Sequence, residues 1–282
     1  MGLSEKIKLK TFVQPQPINL KYPVLLCHGF GAIAIVLNKS PLHDVSVLYR
    51  LHGIKSFAPN IVPYASIETR ARAWETILPK VLHYAEADKL HIVAHSMGGL
   101  DIRHLLQKPE VAEKVVSLTT VATPHYGTTL SELTLDAPKI IRENIVELVD
   151  WFGNQLYPQI PSDVLTALKE LTPDYIKNTF NPANPDVEGV IYSSVNAEIG
   201  KDTDASINKL LVPFNIHIYE REGKNDGYVP SESAKWGDLL LTSNLSHLEQ
   251  IRINLPKAKN PDWNKLWLNV AQNLRVIEDG LR

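Results

Sequence analysis

The residues with the clearest chemical content are Ala94-His95-Ser96-Met97-Gly98-Gly99. They directly follow an apolar run at 90–93 and directly precede a helical pattern that begins near Met97. A serine on so sharp a strand-to-helix turn is held in a strained backbone conformation, with its hydroxyl projecting from the top of a sheet. The small residues Ala94 and Gly98, two before and two after it, let the flanking backbones pass closely. The helix N-terminus behind Ser96 favours developing negative charge. That chemistry is nucleophilic attack on a carbonyl carbon, with the serine oxygen carrying an acyl group between two half-reactions.

A serine hydroxyl is a weak nucleophile without a base, and the base needs an acid to orient it. On a sheet of this kind these groups follow the serine in the order acid, then histidine. The chain has ten histidines, and only His217 and His247 lie beyond His125. His217 falls in an apparent strand run at 215–219, so the base is read as His247, in the loop Ser243-Asn244-Leu245-Ser246-His247-Leu248. The acid is read as Asp226, in the tight turn Asn225-Asp226-Gly227-Tyr228-Val229-Pro230 after a strand expected at 216–219. Asp238 is the alternative acid, although Trp236-Gly237-Asp238 reads as a surface turn. Stabilising an oxyanion takes two backbone N–H donors. One is expected from Met97, the other from Phe30 in His28-Gly29-Phe30-Gly31, which follows the apolar run 24–27. His28 reads as scaffold rather than base. With Gly29 and His95 it is placed at the substrate's edge.

The elements that must position these residues alternate. Strands are expected at 24–27, 56–58, 90–94, 115–121, 190–195 and 216–219, and helices at 67–87, 97–107 and about 264–277. The β-α-β rhythm argues for a mainly parallel sheet flanked by helices. It breaks between 130 and 171, a helical, apolar-rich stretch punctuated by Pro138, Pro158 and Pro161. That stretch reads as an insertion over the sheet within a single domain covering 1–282. Asp101 and Arg103 on the helix behind Ser96 read as a structural ion pair, and His125 as a wall residue.

Composition excludes several other classes. The formal net charge is -2, which gives no electrostatic case for nucleic acid binding. The single cysteine, Cys27, permits neither an intrachain disulfide nor a multi-cysteine metal site. No apolar stretch approaches the ~20 residues of a membrane span, so contact with lipid would be transient. The N-terminal residues carry no secretory h-region, and the expected location is cytoplasmic, unless the chain is exported without such a leader.

Together these segments resemble the bacterial true lipases, the triacylglycerol lipase branch of the α/β hydrolases. The resemblance rests on Lys21-Tyr22-Pro23-Val24-Leu25-Leu26-Cys27-His28-Gly29-Phe30-Gly31 and Ala94-His95-Ser96-Met97-Gly98-Gly99-Leu100. It continues through Thr123-Pro124-His125-Tyr126-Gly127-Thr128, Asn225-Asp226-Gly227-Tyr228-Val229-Pro230 and His247-Leu248, all in the family's order. It implies an α/β-hydrolase fold, hydrolysis of lipid esters through an acyl-enzyme, and a helical lid at 130–171. Trp151, Phe152 and Tyr157 would then be acyl-chain contacts or plain packing. A fixed cap, and a carboxylesterase or acyltransferase acting on soluble esters, remain open, as does a non-catalytic binding protein of this fold. Calcium-binding members carry an Asp two residues after the histidine. Here Glu249 stands in its place and Gln250 is displaced, so the pattern, with Asp202 or Asp204 upstream, is incomplete and no metal or other cofactor is expected.

Overall fold

The computed structural model describes residues 14–29, 40–136, 163–253 and 262–281. Among these, six strands form one sheet: β1 (Val24–Cys27), β2 (Ser56–Phe57), β3 (Leu90–His95), β4 (Val115–Val121), β5 (Ile191–Ala197) and β6 (Asp238–Ser243). Their order is β2-β1-β3-β4-β5-β6, and every neighbouring pair is parallel. The helices that matter below are α1 (His43–Leu51), α2 (Ile67–Ala85), α3 (Gly98–Leu105), α4 (Thr129–Leu135), α5 (Val164–Lys169), α6 (Val212–Glu222), α7 (His247–Gln250) and α8 (Trp263–Gly280).

Successive strand residues point to opposite faces, so each strand supplies two cores. Leu25, Cys27, Ile92, Ala94 and Leu118 pack against Trp74, Leu78 and Val81 of α2 and Ile102 and Leu105 of α3. Val24, Leu26, Val93, Val121 and Val195 pack against α1 and against Trp263, Trp267, Val270 and Leu274 of α8. Strands buried on both faces read as continuous apolar runs, which is why β1, β3 and β4 were visible as strands. Cys27 is a buried core residue, as expected. Glu278 near the end of α8 accepts from the backbone N–H of Lys21 and Tyr22 and meets His91 of β3, so α8 also secures the approach to β1.

Three expectations need correction. Residues 216–219 are not a strand but the middle of α6. The alternating Ile216-His217-Ile218-Tyr219 imitates a strand, yet Pro213 in the first turn and Gly223 beyond the last bound an eleven-residue helix. Its buried face is Asn215 and Ile218, while Ile216 is exposed. Asp226 therefore sits between α6 and β6 rather than at a strand's end. Second, β6 begins at Asp238, where a surface turn was expected; it is an edge strand with much of its length exposed. Third, Asp101 pairs with Arg70 of α2 (2.9 Å), not with Arg103, whose guanidinium stacks on Trp236 at 3.6 Å. Of the expected insertion, α4 and α5 are its described flanks; residues 137–162, with Trp151 and Phe152, lie outside the described residues.

Candidate active site

Parallel strands end on one edge of the sheet, and the loops leaving that edge build the site. The register pairs Cys27 with Ala94, His95 with Val121, and Ala197 with Ser243. The segments beginning at His28, Ser96, Ala122 and Asn244 thus emerge side by side. Ser96 has φ 56°, a left-handed conformation unusual for a residue with a side chain. Neighbouring strands hold it there: its N–H donates to Val121 O (2.9 Å), and its carbonyl accepts from Thr123 Oγ1 (2.7 Å). α3 begins two residues later, so the backbone N–H of Met97 lies at a helix N-terminus beside the serine.

Two glycines make this turn possible by close approach. A Cβ on Gly98 would lie 2.7 Å from Cys27 O, and one on Gly29 would lie 2.6 Å from Ser96 Cβ and 2.7 Å from Met97 N. Gly29 therefore packs against the serine turn from the β1 side. The methyl of Ala94 fits in the core, as the close packing of small residues required.

His247 opens α7, within the reciprocal capping box that Ser246 and Glu249 form. Its Nε2 accepts from Ser96 Oγ (2.9 Å), and its Nδ1–H donates to Asp226 Oδ2 (2.7 Å). All three residues are buried: Ser96 is 8% exposed, Asp226 1% and His247 4%. The Asp226 carboxylate is saturated, its Oδ1 accepting from the N–H groups of Tyr228 (2.9 Å) and Val229 (2.7 Å). Asn225 shapes that turn. It accepts from Gly227 N–H (2.8 Å) and from Asn215 Nδ2 of α6 (2.7 Å), while Asn215 Nδ2 also donates to Ile199 O just past β5 (2.8 Å). The unforeseen helix is thus what fixes the acid. Asp238 is paired with Ser193 at the opposite edge of the sheet, roughly five strand residues or 16 Å away.

Around these groups lies a mostly apolar cavity of about 310 Å³, which Ser96 and His247 open into. Tyr64, Leu130, Val164, Leu168, Phe214 and Tyr228 contribute to its wall, so α4, α5 and α6 roof the serine. The substrate contacts expected of His28, Gly29 and His95 are not found in that wall; all three are buried in the scaffold instead. His28 Nδ1–H donates to Gly29 O (3.0 Å), and its Nε2 accepts from Ile61 N–H (3.1 Å). Burial, then the charge of Arg70, pushes its imidazole down to about 3. Arg70 in turn donates to His28 O, Val62 O and Asp101, bracing the β1 loop against α2 and α3. Burial lifts the Asp101 carboxyl to about 6 despite that guanidinium. His95 lies behind His247, ring centroids 4.6 Å apart, and burial followed by the nearness of His247 holds it well below the usual histidine range. His125 is buried against Arg103, Thr120 and Trp236 rather than in the cavity wall.

Sequence reasoning assigned no place in this site to Gln250, whose amide reaches both His95 and Asp226. Phe30 lies outside the described residues. The residues present do not fit a calcium site of the kind considered. Glu249 is turned to Ser246, Asp202 accepts from Tyr219 (3.2 Å), and among the described residues no group of three acidic, histidine or cysteine side chains is arranged to hold a metal ion.

Solved structures share this arrangement of elements. A metagenomic carboxyl esterase superposes with a TM-score of 0.73 over 96% of this chain and 80% of its own, at 18% identity. A mature Bacillus licheniformis lipase gives 0.65 over 93% and 94%, also at 18% identity. Parallel sheet, strained serine turn and the Asp226 and His247 that follow it define the class of fold: this is an α/β-hydrolase fold. Residues 67–147 match the family described as "Putative serine esterase (DUF676)". Triacylglycerol lipase 2 of Saccharomyces cerevisiae is 32% identical over 233 residues, covering 79% of this chain and 65% of that protein's length. Triacylglycerol lipase of Pseudomonas fragi is 24% identical over 294 residues, 94% of this chain and 99% of the relative. In sequence the chain is thus similar to proteins named triacylglycerol lipases, and in fold to a lipase and a carboxyl esterase.

Proposed function

We propose that the protein hydrolyses carboxylic esters of lipids through an acyl-enzyme on Ser96. The observation that carries this reading is the unbroken path from Ser96 Oγ through His247 to the saturated carboxylate of Asp226, at the mouth of an apolar cavity. Ser96 Oγ attacks the ester carbonyl carbon as its proton passes to His247 Nε2. Asp226 keeps the other ring proton on Nδ1 and stabilises the imidazolium. The tetrahedral oxygen is met by the N–H of Met97 at the start of α3. Collapse expels the alcohol, which takes the proton from Nε2, and water then releases the acid by the same route.

An apolar lining with few convergent polar groups suits a hydrocarbon acyl chain. In this reading α4 and α5 are the flanks of a cover over that chain, which supports lipid esters over small polar ones. The decisive experiment pairs a fluorophosphonate probe with an acyl-length series of esters, assayed above and below their solubility limits. The protein should label on Ser96 and favour longer acyl chains, and Ser96→Ala should neither label nor turn over substrate. Turnover retained by Ser96→Ala refutes the mechanism. A preference for the shortest, dissolved esters refutes the substrate class.

A further inference from the structure

Gln250 closes the last turn of α7 and is completely buried. Its amide nitrogen donates to Asp226 Oδ2 (3.2 Å) and to Leu245 O (3.2 Å), two acceptors that no amide oxygen could satisfy. The amide is therefore oriented, and Gln250 Oε1 faces His95 Nε2 at 3.0 Å. His95 must carry its proton on that nitrogen. The result is a closed ring: Ser96 to His247, to Asp226, to Gln250, to His95, and back to Ser96 through one peptide bond. The main chain of Gln250 is anchored separately. Its carbonyl accepts from the indoles of both Trp263 (2.8 Å) and Trp267 (2.9 Å) on α8.

We propose that Gln250 is a positioning residue for the reaction: its side-chain amide fixes the Asp226 carboxylate and competes with His247 for Oδ2, setting how strongly the carboxylate supports the imidazolium. This rests on the triad reading given above. A carboxylate oxygen shared between two donors attracts each of them less than one donor alone. Gln250 also holds His95 as a neutral neighbour, so that His247 gains its proton beside an uncharged ring. Among the described residues the other groups facing His247 are the Tyr228 ring, 5.3 Å away between centroids, and the Ser96 hydroxyl; Glu249, on α7 itself, is engaged by Ser246.

The test is the pH profile of kcat/KM in Gln250→Met, which removes the donor but keeps the length and leaves the carbonyl bonds to the two tryptophans in place. Freed from the competing N–H, Oδ2 should bind the His247 proton more tightly. The acid limb should then move up by about half a pH unit or more, with kcat lowered. His95→Phe, which removes the donor to Gln250 Oε1 and keeps an aromatic ring behind His247, should move the limb the same way by less. Hydrolysis of a dissolved short-chain ester, followed by chromatography from about pH 5 to about pH 9, supplies both profiles. An acid limb unmoved, or moved down, in whichever variant folds makes Gln250 a packing residue and overturns the proposal, even if kcat falls. Failure of the triad reading looks different: activity would then survive Ser96→Ala.

Discussion

Replacing Gly29 by alanine adds a single methyl group and should disable the enzyme. A Cβ there would stand 2.6 Å from Ser96 Cβ, 2.7 Å from Met97 N and 2.8 Å from His95 O. These separations are roughly 0.6–0.8 Å short of ordinary contact, and two of the three atoms are backbone, unable to swing aside. The sheet cannot widen to make room, because β1 and β3 are hydrogen-bonded in register up to Cys27 and Ala94, both wholly buried. The strain must lift the loop carrying His28 and Gly29 away from Ser96. Overpacking of this kind costs about 1–3 kcal/mol of stability, and displacing a reacting or stabilising group by about 1 Å costs about 10²-fold in rate. Gly280, on the last turn of α8 with nothing within 4 Å of an added Cβ, is the control. The same substitution there should be neutral or stabilising by up to about 1 kcal/mol. Urea unfolding and kcat measured on both variants decide the matter. A Gly29→Ala protein with the parent's kcat and unfolding midpoint would refute the close-approach argument.

Two further outcomes follow from the buried polar groups. Asp226→Asn can keep both backbone bonds at Oδ1 only by turning its NH₂ towards His247 and Gln250; the imidazole proton is then driven onto Nε2, which can no longer accept from Ser96. A fall in kcat of about 10⁴-fold is expected with little change in the circular dichroism spectrum, and a loss of less than tenfold would contradict it. Acid lability is the second. His28, His95 and His125 are buried and held below the usual histidine range by that burial, His28 to about 3, so they stay neutral in the folded protein while the unfolded chain protonates them. Their contribution to stability is present above the unfolded value of 6.5 and is lost as pH falls below it. Three such groups cost about 4 kcal/mol between pH 7.5 and pH 5.5. The raised carboxyls of Asp101 and Glu170 oppose this in part over the same interval. The urea midpoint should be lower at pH 5.5, and an equal or higher midpoint there would refute the account.

The sheet's centre was legible because β1, β3 and β4 are buried on both faces and their sequences are apolar or small, with few charged-type residues to break the run. The serine turn was legible for a related reason: small residues at 94 and 98 are required where backbones nearly touch. What escaped was set by tertiary contact. β6 is a half-exposed edge, and its pairing with β5 has no signature in the residues of β6 alone. α6 alternates like a strand between Pro213 and Gly223, and its packing through Asn215 and Ile218 shows it to be a helix. Asp226 was singled out from its turn and its order in the chain, although the strand thought to deliver it is a helix. Gln250 was noticed only as a displaced member of a calcium pattern, because its contacts are with two residues that are far from it in sequence, at 95 and 226.

The left-handed torsion at Ser96 has a consequence for how this protein can change. A residue other than glycine pays on the order of 1–2 kcal/mol to occupy that region, and here the surrounding sheet compels a serine to do so. Glycine at the same position would fold more easily and do nothing. The most damaging single replacement for catalysis is thus one that the backbone would welcome, and only selection for activity holds the chain away from it.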